Sequence, residues 1–129
     1  MKKNYFWIIG MIIIILLLIV FRGREDSWNK DNKGVYLESG SSAIIPQKVD
    51  SQREAINCAL DLYKKNYDEG LNFSSQCLGS CGDYAVDIVH VPRIEEDNLV
   101  ENQCNDFIEG KVKNFIELDK HGGIVRIVD

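Results

Sequence analysis

Four cysteines and two histidines are the residues of this 129-residue chain best equipped for chemistry, and two of the cysteines stand close together in QCLGSCG, Gln76 to Gly82. A thiolate is a nucleophile and a soft metal ligand, so Cys77 and Cys81 have three openings: dithiol exchange, zinc binding or structural cross-linking. Exchange favours Cys-x-x-Cys at a helix start, where the dipole lowers the thiol pKa. Here three residues separate the pair, Gly and Ser flank it, and a strand is expected to follow. A zinc set of Cys77, Cys81, His90 and Cys104 holds one close pair only and leaves Cys58 over. Structural disulfides are the better reading.

Four cysteines allow three connectivities. Bonding Cys77 to Cys81 closes the shortest loop and stabilises least, whereas loops of about 20 to 30 residues contribute roughly 3 to 4 kcal/mol each in the chain-entropy model. Two long-loop pairings remain. Cys58–Cys81 with Cys77–Cys104 ranks ahead of Cys58–Cys77 with Cys81–Cys104.

The other chemistry-bearing residues favour no reaction. Asp87 and His90 are three apart on an expected strand, so they point to opposite faces and cannot form a dyad. His121 falls in a turn. Glu95, Glu96 and Asp97 lack the alternating spacing of a calcium loop and read as a solvated acidic loop. No phosphate-cradling glycine motif and no nucleophile elbow occurs. The sequence therefore predicts no catalytic residues, no metal and no cofactor.

These residues need elements to hold them. A helix is expected from Ser51, where Ser51-Gln-Arg-Glu54 reads as a capping box, to the stop at Gly70, with Ile56, Ala59, Leu60, Tyr63 and Tyr67 on one face. Tyr84 to Val91 reads as a strand, and Val112–Leu118 with Ile124–Val128 as a hairpin around Asp119-Lys-His-Gly-Gly123. The expected fold class is α+β: an N-terminal transmembrane helix, then one helix packed on a three-stranded antiparallel sheet with disulfides. About 80 residues make a thin core, and cross-links compensate for that.

Tyr5 to Phe21 is uncharged and apolar, long enough at about 1.5 Å per residue to reach roughly 25 Å. No small-residue cleavage site follows it, so a retained anchor is expected in preference to a cleaved signal. The expected organisation is a cytoplasmic stub and transmembrane anchor over residues 1–24, a polar linker over 25–49 with apolar islands at Val35–Leu37 and Ala43–Ile45, and a disulfide-stapled domain over 50–129. Lys2 and Lys3 nearly balance Arg22 and Arg24 across the apolar run, so flanking charge leaves orientation open. The cysteines, all beyond that run, place the domain in an oxidising compartment. Localisation is thus expected at the cell membrane, single-pass, with the C-terminal domain outside the cytoplasm and the bilayer contacted through residues 5–21.

From Glu25 onward the chain carries 11 Lys and Arg against 20 Asp and Glu, a net charge of −9. That balance disfavours nucleic acid, whose binding rests on basic side chains meeting phosphates.

The stretches REAINCALDLYKKNYDEGLNFSSQCLG, VDIVHVPR, ENQC and FIELDKHGGIVRI, spread over Arg53 to Ile127, resemble a family of small membrane-anchored or secreted prokaryotic proteins with no established activity. The resemblance implies an exported domain in which Cys77 and Cys104 go together, with Cys58 and Cys81 as an addition. The expected function is a binding or cell-envelope accessory module with a protein or envelope partner, its contact surface at His90, Arg93, Asn102 and Gln103. The rival expectation is a thiol-disulfide exchange or zinc-dependent enzyme using Cys77, Cys81 and His90.

Overall fold

A computed structural model describes residues 3–22, 28–40 and 44–129, with the side chains of the first helix described from Trp7 to Leu18. Lys2, Arg24 and Ala43, which entered the sequence reading, lie outside the described residues. The elements are α1 (Lys3–Arg22), β1 (Trp28–Lys30), β2 (Tyr36–Glu38), α2 (Gln47–Asp68), β3 (Gln76–Cys81), β4 (Tyr84–Ile88), α3 (Asn105–Ile108), β5 (Asn114–Leu118) and β6 (Ile124–Val128), with two 3-10 turns at Glu95–Asn98 and Val100–Asn102.

The expected transmembrane helix is overturned. Among the described residues no helix is long and apolar enough to cross a membrane. The signal-anchor role given to residues 5–21 is left without support.

The three-stranded antiparallel sheet is also corrected. The strands form one four-stranded sheet in the order β3-β4-β5-β6 and a separate two-stranded ribbon, β1-β2. The fourth strand is QCLGSC itself, a stretch that the sequence does not mark as a strand. It pairs antiparallel with β4, so it supplies the sheet edge. β4 and β5 are parallel, and only β5 and β6 form the expected hairpin. Parallel neighbours need a crossover of a dozen or more residues. Residues 89–113 supply it, carrying both 3-10 turns and α3 back to the start of β5.

Alternation along the strands then gives the sheet two different faces. Tyr84, Val86, Ile88, Ile116, Leu118 and Ile127 turn to α2 and enclose the larger core with Ala55 and Ala59. Ala85 and Phe115 turn the other way and pack with Cys104, Phe107 and Val112 of the crossover. The sheet is the middle of three layers.

α2 begins one turn earlier than its sequence pattern indicates. Pro46 stands at the N-cap, so Ser51 lies inside the helix and the capping box does not form. Proline fits a helix start because its fixed φ suits entry and its missing N–H has no intrahelical acceptor there. At the other end Gly70, at φ +78°, lets the chain leave in the left-handed region. Gln52 is buried on α2 and ties the ribbon to it: its Oε1 accepts from the Tyr36 amide at 2.9 Å and its Nε2 donates to the Gly34 carbonyl at 2.9 Å. The Ile127 amide donates to the Lys33 carbonyl at 2.7 Å, which seats the ribbon's turn on β6.

Candidate functional site

The polar residues of the crossover converge where the chain leaves β4. Val89 still donates to the Leu118 carbonyl at 2.9 Å; from His90 the backbone turns out of the sheet and needs other partners. Asp97 provides them. Its carboxylate accepts from the His90 amide at 3.1 Å and the Ile94 amide at 2.9 Å, and lies 2.9 Å from His90 Nδ1. Burial would raise the Asp97 pKa, but the Ile94 amide and the His90 ring and amide outweigh it and hold the group below the usual carboxylate range. An ionised carboxylate only accepts, so the His90 nitrogen facing it, Nδ1, carries a hydrogen.

Arg93 fastens the same turn to the sheet. It donates to Glu117 at 2.6 Å, to the Asp97 carbonyl at 3.1 Å and to Asn98 Oδ1 at 3.1 Å. Glu117, buried on β5, also receives Arg126 of β6 through two N–H groups at 3.0 and 3.1 Å. A buried carboxylate between two guanidiniums has its lone pairs satisfied and its charge balanced.

Asp87 stands beside Glu117 in register across β4 and β5. Its pKa is pushed up to about 6, first by burial and then by the Glu117 charge, against the opposing pull of the Cys104 amide and Arg93. Asp87, Arg93, Asn102, Gln103, Glu117 and Arg126 share a cavity of about 120 Å³ between sheet and crossover.

A larger cleft of about 440 Å³ opens on the outer side of the turn. Phe73, Ile88, Val89, Val91, Pro92 and Ile94 make it apolar. Ser74, His90, Asp119, Lys120 and His121 add polar groups from the α2–β3 connection, the chain just after β4 and the β5–β6 turn.

Of the residues singled out from sequence, Arg93, Asn102 and Gln103 line the small cavity, and His90 lines the large cleft. Asn102 also braces the crossover, donating to the Glu96 carbonyl at 2.9 Å. The Asp87–His90 dyad does not exist; the partner of His90 is Asp97, which the acidic run Glu95-Glu96-Asp97 disguised. Asp87 and Glu117 were missed as a pair, although each interrupts a run of buried apolar strand residues, which is a signal for a polar group with dedicated partners.

The cysteines are joined Cys58–Cys81 and Cys77–Cys104. The two sulfurs of QCLGSC therefore belong to different bonds. Cys77, Asp87 and Cys104 bring their side-chain donor atoms within 4.8 Å of one another. With both sulfurs oxidised, neither is a thiolate ligand, and His90 is not part of that group. No family model, curated protein or solved structure matches this chain.

Proposed function

We propose that the chain is an exported binding domain whose contact face is the cleft at the end of β4. The observation that carries this reading is the cleft's make-up: a concave apolar floor with a few convergent polar groups, the usual character of a ligand site. Its walls are held in shape. Asp97 fixes the His90 turn, and the β5–β6 turn is closed by Asp119, whose Oδ1 accepts from the His121 and Gly123 amides at 2.7 and 2.9 Å. Val91 is 66% exposed at the rim, so an occupant that covers it gains the burial of a whole side chain. The matching ligand has an apolar body and an acceptor group for Lys120, such as a segment of a partner protein bearing a carboxylate. Two disulfides and no free cysteine among the described residues suit an oxidising compartment outside the cytoplasm.

A photo-crosslinking residue at Val91, with a control at Glu109 on the crossover, tests this in the exported full chain. The expected result is a discrete adduct from position 91 that is absent from position 109 and lost when His121→Asp introduces a repelling charge. The same adducts from both positions would remove the cleft from consideration.

A further inference from the structure

A second site lies on the other face of the sheet and is independent of the cleft. We propose that the Cys77–Cys104 disulfide is exchangeable under native conditions, and that Asp87 is the acid that protonates the departing Cys104 sulfur. The two sulfurs are unequal: Cys77, on the edge strand, is exposed, while Cys104 is 1% exposed and lies among Ala85, Val112, Phe107 and Phe115. An incoming thiolate therefore meets Cys77, and the leaving group is the buried Cys104.

Asp87 Oδ1 lies 3.2 Å from Cys104 Sγ. A sulfur in a disulfide carries no hydrogen, so this contact is a hydrogen bond only when the carboxyl is protonated and donates. Burial and the Glu117 charge from β5 favour that state, while the Cys104 amide and Arg93 of the crossover oppose it. Arg93 and Arg126 of β6 are engaged by Glu117, at 2.6 and 3.0 Å, and Asp97, which lines the same cavity, has its carboxylate committed to His90 and Ile94. Departure of a thiolate into this buried position adds a charge that water cannot solvate, and a proton from Asp87 removes it.

The step balances. A thiolate of an external dithiol attacks Cys77 Sγ, the Cys77–Cys104 bond breaks, and its electron pair leaves on Cys104 and takes the Asp87 proton. The products are a mixed disulfide on Cys77, a Cys104 thiol and an Asp87 carboxylate. The second thiolate of the dithiol then attacks its own half of the mixed disulfide and releases Cys77. Two electrons pass from the dithiol, which becomes a disulfide, to the pair.

The contrast with Cys58–Cys81 makes the proposal specific, because Cys81 is 2% exposed inside the core under α2 and Cys58 is half-buried beside it. The test is limited reduction of the full, oxidised chain by dithiothreitol, quenched by alkylation and mapped by mass spectrometry from pH 5 to 8. Cys77 and Cys104 should be labelled on the order of 10-fold or more faster than Cys58 and Cys81, with a rate that stays linear in dithiol. The rate per dithiol thiolate should fall as pH rises through about 6, and Asp87→Asn should slow it on the acid side by on the order of 10-fold and flatten the profile. Labelling of Cys58 and Cys81 first, a rate that saturates at the speed of global unfolding, or an unchanged profile in Asp87→Asn would overturn it. The wild-type mapping and profile decide the matter even if the variant does not fold.

Discussion

Cys77 and Cys81, four residues apart on one strand, face opposite sides of the sheet. In an unbroken strand an even spacing puts two side chains on the same face. β3 is not unbroken: Cys77 pairs with Asp87 and Gly79 with Val86, so Leu78 is an extra residue and the register shifts there. After the bulge Cys81 stands opposite Tyr84 on the α2 side, within reach of Cys58, while Cys77 stands beside Asp87 on the crossover side, within reach of Cys104. One bulged edge strand thus fastens both outer layers to the sheet.

The two bonds close similar loops, spanning 23 and 27 residues of sequence, so loop entropy gives each about 3 to 4 kcal/mol. Their surroundings separate them. Cys81 lies in the larger core, and replacing Cys58 and Cys81 by Ala leaves a void beside α2; replacing Cys77 and Cys104 removes one exposed sulfur and one buried one. The Cys58→Ala/Cys81→Ala protein should be the less stable by about 1 kcal/mol. Urea midpoints of the two double variants check this, and a reversed order would count against the packing account.

The bulge marks the limit of what the sequence discloses. α2 announces itself by helical spacing, and β4, β5 and β6 by β-branched runs with turn residues between. QCLGSC has neither: Gly, Ser and Cys are weak strand formers, and its extra residue spoils the alternation that would identify it. The parallel pairing of β4 with β5 is hidden for a different reason, because a long polar connection suits a loop between antiparallel strands as well as a crossover. In the site, His90 and Arg93 stand out as isolated polar residues near a proline. Asp97 does not, since the third of three acidic residues looks solvated until the fold turns it inward. Residue type is local, whereas burial is decided by pairing at a distance.

Asp87 makes stability fall as pH rises. A carboxyl raised from 3.8 to about 6 in the folded chain holds its proton after the unfolded chain has lost it, so between these values the folded state binds more protons and loses ground with each pH step. The loss is complete above about pH 6 and amounts to about 3 kcal/mol at most. Asp87→Asn cannot ionise and should lack that decline. Denaturant melts of both proteins at pH 4, 5, 6 and 7 should diverge with rising pH, the variant gaining on the parent; parallel curves would mean that Asp87 ionises freely.

Asp97 has the opposite sign. Its folded pKa is lowered, so its stabilisation is present above the unfolded carboxylate pKa and is lost as pH falls through the folded value. Asp97→Ala removes the acceptor of two backbone amides and of the His90 ring, and should cost about 2 to 4 kcal/mol at pH 7. Asp97→Asn keeps one acceptor oxygen and should cost less. Native-state hydrogen exchange provides the local readout: the His90 and Ile94 amides should lose protection in both variants, and amides that stay protected would show that something else holds the turn.

Gly34 tests whether the ribbon is docked as the hydrogen bonds place it. It sits at φ +87°, and a Cβ there would lie 2.2 Å from the Ile127 carbonyl oxygen, which is backbone of β6 and cannot rotate away. The Gly34 carbonyl also accepts from buried Gln52, so a shift of the turn would strip that side chain of a partner. Gly34→Ala therefore combines left-handed backbone strain with a steric clash and should cost about 2 to 3 kcal/mol. In a docked ribbon the damage passes to its neighbours: the Tyr36 amide loses its bond to Gln52 and the Ile127 amide its bond to the Lys33 carbonyl. Amide exchange at Tyr36 and Ile127 should accelerate together in the variant while Ile116, in the centre of the sheet, stays protected. A stability change within about 0.5 kcal/mol, the range of an ordinary surface substitution, would mean that residues 31–35 do not rest on β6.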